Sequence, residues 1–265
     1  MQSIIILLIG LLAGNITGII GASGVMIVVP VFIILGYSPA ASIGASLFID
    51  TIASLIVAWT YHQHDNLVIR DGIWIAAGSI LGAQAGSYLS ILIPTASLSN
   101  SFSIFLLISA VFLWLNGKRR ISDEEPGFMR NPGIRRTLLF VRSHSRLFGI
   151  VLGLLVGIIS GFFGAGGGIM ILFILIFVMG FSMHEGIGTS TLIMAFTAAS
   201  GAAGHLATGD LPIKIAVFGT IGTVIGSRLS AKYANRVNEQ ILSKAGAILF
   251  GLLGLFLIFM DRIFQ

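Results

Sequence analysis

The chain has 265 residues, 56% of them hydrophobic and 9% charged, against about 25% charged in a soluble domain. Its first charged side chain is Asp50, a pattern that excludes a water-soluble globular fold. The formal charge of +5 does not point to nucleic acid, because eight of the Lys and Arg residues fall between Lys118 and Arg146, as expected of a basic loop beside membrane spans. The lack of cysteine removes disulfides, thiolate metal sites and cysteine nucleophiles.

Apolar runs between breakers predict five segments in the first half, at residues 4–20, 25–35, 40–60, 72–93 and 97–115. A basic connector, 116–146, follows. Five more segments lie at 147–163, 169–180, 185–207, 213–233 and 239–260. A helix needs about 20 apolar residues to cross a hydrocarbon core, so 25–35 and 169–180 are too short to span alone. Segment 4–20 has no basic residue before it and no small-residue cleavage pattern after it, so it reads as a retained span. The expected division is a first transmembrane repeat at 1–115, the connector at 116–146 and a second repeat at 147–265.

The two halves share a pattern. Gly14-Asn15-Ile16-Thr17-Gly18-Ile19-Ile20-Gly21-Ala22-Ser23-Gly24 aligns with residues 157–167, and Gly36-Tyr37-Ser38 aligns with Gly180-Phe181-Ser182. Ile43-Gly44-Ala45-Ser46 aligns with Ile187-Gly188-Thr189-Ser190, Asp65-Asn66-Leu67 with Gly209-Asp210-Leu211, and Gly86-Ser87-Tyr88-Leu89-Ser90 with Gly226-Ser227-Arg228-Leu229-Ser230. Five blocks in one order make an internal repeat. A second basic cluster, Arg228, Lys232, Arg236 and Lys244, lies at the turn between the last two segments. If both basic regions are cytoplasmic, an even number of crossings separates them, the second repeat is inverted relative to the first, and both termini lie outside. The expected fold is therefore an all-α polytopic membrane protein of two inverted five-segment repeats. Such repeats place a substrate site near the midplane, at discontinuous helices.

Two glycine-rich breaks stand at equivalent repeat positions: Gly21-Ala22-Ser23-Gly24, and Gly164-Ala165-Gly166-Gly167-Gly168. A broken helix frees backbone groups that hydrocarbon cannot satisfy. The start of the next helix offers N–H donors suited to an anion. Close helix packing is the other use of such small residues. Ser46, Thr189 and Ser190 add hydroxyls near the breaks. They either replace part of an oxyanion's hydration shell or bond back to their own helix.

The arrangement Gly-Ile-Ile-Ser-Gly-Phe-Phe-Gly-Ala-Gly-Gly-Gly at 157–168, with Gly188-Thr189-Ser190 downstream and a weaker copy in the first half, resembles the TauE/SafE sulfite-exporter family. The resemblance covers most of residues 10–255. It implies a prokaryotic plasma-membrane transporter of small, often sulfur-containing anions such as sulfite, sulfoacetate and other sulfonates. Ser23 and Val25 stand where the fuller pattern has glycine.

Asp50 lies at the centre of a predicted span, in a stripe of Ser42, Ser46, Asp50 and Ser54 spaced four apart and so on one helix face. Two readings fit an intramembrane carboxylate: a proton acceptor in a coupled cycle, or a hydrogen-bond partner of a neighbouring broken helix. Its repeat counterpart is Met194. His205, near the end of its segment, is a second proton-carrier candidate or a satisfied interfacial residue. His62 and His64 with Asp65 lack convergent ligands, so neither a metal nor another cofactor is expected. Gly78, Gly82 and Gly86, and Gly222 with Gly226, read as packing seams, and Arg228 as a snorkelling residue.

The function these features support is a secondary transporter of a small anion working by alternating access, with lipid as its surroundings and protons as a candidate coupling ion. No P-loop occurs. An anion channel of the same architecture is one alternative. A rhomboid-like intramembrane protease with Ser23 as nucleophile is another, disfavoured because Gly166 replaces that serine in the second copy.

Overall fold

The computed structural model describes residues 2–90, 95–116, 145–163, 167–207 and 212–264; residues 117–144, and with them most of the basic connector, lie outside these. Regular structure among the described residues is helical throughout. The first half contains α1 (Gln2–Ile20), α2 (Val25–Ile34), α3 (Pro39–His62), α4 (Ile69–Ser90) and α5 (Thr95–Asn116). The second contains α6 (Ser145–Phe163), α7 (Gly167–Met179, widening to π-helical turns from Ile174), α8 (Met183–Ala207), α9 (Ile213–Ala234) and α10 (Glu239–Phe264).

Four of these helices, α1, α3, α8 and α10, are long and apolar enough to cross a membrane by themselves. Large apolar side chains such as Leu8, Leu12, Trp59, Phe196 and Leu252 are exposed, a surface suited to lipid rather than water. α2 and α7 are short, with Phe32, Ile169, Ile171 and Leu172 almost fully buried, while Ile33 and Ile34 at the end of α2 are exposed.

Local chemistry explains the turns between short and long helices. Gly36 and Gly180 adopt left-handed φ values of 92° and 80°, the conformation that ends a helix and that glycine adopts without steric cost. Ser38 accepts the Ala41 N–H to start α3. At the matching place Ser182 and Glu185 form a reciprocal capping box ahead of α8. The repeated Gly-aromatic-Ser triplet is thus a helix stop followed by a helix start.

The packing exchanges the halves. α4 packs most extensively on α6, and α1 on α9, so the first helix of each half lies along the fourth helix of the other. Both contacts are glycine seams. A Cβ on Gly78 or Gly82 would overlap the carbonyl oxygen of Ile150 or Leu154, and one on Gly153 or Gly157 would overlap that of Ile75 or Ser79. Along α1, Gly10 and Gly14 meet the carbonyls of Gly219 and Thr223 in the same way, answered by Gly222 and Gly226 against Leu7 and Leu11. Without side chains in between, the backbones approach closely enough for Thr223 Oγ1 to donate to Gly10 O at 2.9 Å and Ser230 Oγ to Gly14 O at 3.3 Å. Residue numbers rise together along both seams, so each pair runs parallel.

The equivalent central helices do the opposite. Tyr61 of α3 packs beside Gly188 of α8, and Leu47 beside Gly201, so α3 and α8 are antiparallel. α5 and α10 are also antiparallel, with Leu113 beside Gly246 and Ala110 beside Gly251.

One end of the bundle gathers the polar turns. Asn66 Nδ2 donates to Asn235 Oδ1 at 2.7 Å, tying the α3–α4 turn to the α9–α10 turn. The His184 ring at the start of α8 lies 3.1 Å from Ala234 O and 3.9 Å from a Glu239 carboxylate oxygen. Arg146, at the start of α6, sits over the Trp74 ring near the start of α4. The last residue of the basic connector and the Arg228, Lys232 and Arg236 cluster therefore share this end. α1 arrives at it and α10 departs from it, which puts Gln2 and Phe264 at the far end.

Candidate functional site

The site is built from two helix breaks and the two long helices that cross them. α3 has 24 residues, and Asp50 lies at its middle; Met194 occupies the corresponding place on the antiparallel α8. Beside them lie the first break and, of the second, Gly167 and Gly168. Gly21 turns the chain out of α1 with a left-handed φ of 63°, and residues 21–25 are buried.

Asp50 is 3% exposed, and no other charged side chain is found among the buried described residues. Its Oδ2 accepts the Ser23 hydroxyl at 2.7 Å, and its Oδ1 accepts the Gly24 backbone N–H at 3.2 Å. Ser23 Oγ in turn accepts the Val25 N–H at 3.2 Å. Two of the freed donors at the start of α2 are thus met by protein groups, and the partial positive charge of that helix end faces a carboxyl group. This relation joins positions 26 apart in the chain, and the sequence alone does not single out which break Asp50 meets.

The second break lies against the first. A Cβ on Gly168 would press on the Gly21 carbonyl oxygen and the Met194 sulfur, each at 2.6 Å. Gly21 packs against Ser190 and Ile187 of α8. Gly21, Ala22, Ser23, Gly24, Asp50, Gly168 and Ser190 therefore belong to one buried region where the halves meet. Gly167 is buried beside Gly168 at the start of α7, whereas Gly164, Ala165 and Gly166 lie outside the described residues.

A family model described as sulfite exporter TauE/SafE matches residues 6–257. The chain belongs to the TauE/SafE family. Among curated proteins it is 25% identical to the probable membrane transporter protein YunE of Bacillus subtilis, over 98% of both chains. It is likewise 25% identical to the probable membrane transporter protein YdhB of the same organism, over 96% of this chain and all of that one. A probable membrane transporter protein of Methanocaldococcus jannaschii is 24% identical over 96% of this chain and 94% of its own. No solved structure matches. The TauE/SafE assignment makes the protein a membrane transporter, in agreement with its apolar helices.

Other candidate residues of this TauE/SafE chain separate by position. The Thr189 hydroxyl accepts the Val68 N–H at 3.1 Å and so fastens the α3–α4 turn, away from the breaks. Ser190 bonds back to Ile187 O at 3.1 Å while facing Gly21. Ser46 is buried one turn from Asp50, and its hydroxyl has no hydrogen-bond partner among the described residues. His205 lies on the backbone of α8, and its side chain is outside the described residues. His64 Nδ1 lies 2.7 Å from Thr60 O, His62 leans on the Trp59 ring, and Arg228 is exposed.

Sequence reasoning does not reach Tyr61. Its hydroxyl donates to Gly18 O at 3.2 Å from a fully buried position, satisfying a carbonyl freed at the end of α1. The signal is faint: a lone tyrosine in an apolar run, at the repeat position that His205 fills in the second half.

Proposed function

We propose that this protein is a secondary transporter of a small, sulfur-containing anion such as sulfite or a sulfonate, working by alternating access between two inverted halves. The observation that carries this reading is the meeting of the two halves at Gly21 and Gly168, beside α8, with the first break held to Asp50 of the antiparallel α3. Discontinuous helices at a repeat interface are the usual substrate site of such carriers. The antiparallel pairing of equivalent helices supports inversion of the halves about an axis in the membrane plane.

The anion, in this proposal, binds nearer the second break. Asp50 holds a carboxyl group against the first, whereas the thioether Met194 stands at the matching place by Gly168 and opposes no negative charge. Gly164 to Gly168 would supply backbone donors, and the Ser190 hydroxyl a neutral one. The basic end of the bundle is assigned to the cytoplasm, with both termini outside, in the plasma membrane of a prokaryote. Asp50 and His205 are the candidates for carrying a coupling charge.

The test is uptake into proteoliposomes of the purified protein, comparing sulfite, thiosulfate, sulfoacetate, sulfate and lactate under imposed ion gradients. Saturable flux of one sulfur anion that follows a counter-ion gradient supports the carrier. Non-saturating flux driven only by the anion's own electrochemical gradient would make it a channel, and no flux from folded protein would remove the substrate assignment.

A further inference from the structure

Three hydroxyls in the bundle are unexplained. Ser42, Ser46 and Ser54 are at most 1% exposed, and none of their Oγ atoms has a hydrogen-bond partner among the described residues. Buried hydroxyls almost always find a partner, because an unmet one keeps the cost of leaving water. Mid-helix serines in membrane spans usually bond back to their own carbonyls, as Thr51 and Thr60 of the same helix do. These three do not.

All three lie on the face of α3 that carries Asp50. Ser46 and Ser54 stand one turn to either side of it, and side chains four apart on a helix are neighbours about 6 Å apart at Cβ. Asp50 accepts one hydrogen bond at each oxygen, which leaves lone pairs on both. α1, α2, α8 and α9 pack around α3, yet no buried described residue on them carries a charge. The stripe therefore presents oxygen ligands, one carboxyl group and no cation.

We propose that Asp50, Ser46 and Ser54 bind a sodium ion in the middle of the membrane. Oxygen-only donors suit a hard cation. One carboxylate balances a single charge, and no group of three or more acidic or histidine side chains exists among the described residues to hold a divalent ion. A proton would need only the carboxyl group and would leave the serines unexplained. Ser42 continues the stripe toward the start of α3, at the end of the bundle away from the basic turns. Because Asp50 also holds Ser23 and Gly24, ion binding acts directly on the first break. The ion's role in coupling rests on the transporter reading; its binding does not.

The experiment measures binding of radioactive sodium to purified full-length protein in detergent, with no anion present. Saturable binding of one ion per chain is expected, and unlabelled potassium should compete at least tenfold more weakly than unlabelled sodium. Asp50→Asn should abolish the binding, and Ser46→Ala and Ser54→Ala should each weaken it about tenfold, the effect of one lost ligand worth about 1.4 kcal/mol. Because Asp50→Asn touches the helix break and can disturb folding, Ser46→Ala decides the matter: its hydroxyl makes no hydrogen bond among the described residues, so the variant should fold and lose affinity. No saturable sodium binding by folded wild type, equal competition by potassium, or full affinity in Ser46→Ala would overturn the proposal. Failure of anion uptake with sodium binding intact would instead count against the transport reading alone.

Discussion

Asp50 Oδ1 accepts the Gly24 backbone N–H at 3.2 Å, so the middle of one long apolar helix holds the residue that caps the start of a short one. Nothing else charged is buried among the described residues, and this one carboxyl group organises the first break through Ser23 as well as Gly24.

Removing that hold should loosen α2. Asp50→Ala loses two bonds to a carboxyl group, each worth about 1.5–3 kcal/mol when the group is charged, and its melting temperature in detergent should fall well below that of wild type. Ser23→Ala loses one of them together with the neutral Val25 N–H bond, worth about 0.5–1.5 kcal/mol, and should fall less. Equal melting of all three proteins would refute the capping role.

The glycine seams should tolerate almost nothing. Gly82→Ala places a Cβ on the Leu154 carbonyl, and overpacking of this kind costs roughly 1–3 kcal/mol or more. Gly82→Leu should give no monodisperse protein on size exclusion. Gly36 provides the contrast, since among the described residues, its chain neighbours aside, no atom lies within 4 Å of its added Cβ; Gly36→Ala should cost only the left-handed backbone, about 1–2 kcal/mol.

Thr189 and Ser190 are adjacent in sequence but should differ in effect. Thr189→Val removes the acceptor of the Val68 N–H and should lower stability by about 1 kcal/mol, leaving the KM for the transported anion unchanged. Ser190→Ala should raise that KM while barely moving the melting temperature. A KM change confined to Thr189→Val would reverse the placement of the site.

The antiparallel contact of α3 with α8 can be checked with cysteines, since the natural chain has none. The pair Leu47→Cys and Gly201→Cys should cross-link readily with a short bifunctional reagent. Leu47→Cys with Gly186→Cys should not, because Gly186 faces Leu172 and Ile176. The reverse result would mean that the two helices run parallel.

Single cysteines also test orientation. Arg146→Cys and Lys232→Cys should react with a membrane-impermeant maleimide only in inside-out vesicles, and Gln2→Cys only in intact cells. Labelling of Arg146→Cys and Lys232→Cys from opposite sides would break the argument that places both basic regions in the cytoplasm.

The helices are legible in the sequence because hydrocarbon demands long uninterrupted apolar runs, and among the described residues every predicted segment falls on a helix; residues 91–93 of the fourth segment lie outside them. The other ends differ by two residues or fewer, except that α4 starts three residues earlier, at Ile69, and α10 continues to Phe264. The breaks are legible because glycine interrupts those runs at repeated positions. What sits opposite a given face is not. The seams at Gly78, Gly82 and Gly222 are visible as small-residue spacing, but their partners on α6 and α1 lie in the other half of the chain. Asp50 can be picked out as a lone charge; that it meets Ser23 and Gly24 depends on how α3 leans across α2. Thr189 and Ser190 share one motif, yet a helix turns about 100° per residue, and that rotation sends one hydroxyl to Val68 and the other to Gly21.

The exchange of first and fourth helices between halves bears on how the protein is made. While the ribosome is still translating the second half, α1 and α4 are already in the bilayer with their glycine faces bare, for their partners α9 and α6 have not emerged. Neither half contains its own best-packed helix pair. Separately expressed halves should therefore be degraded, and expression of both in one cell should rescue them.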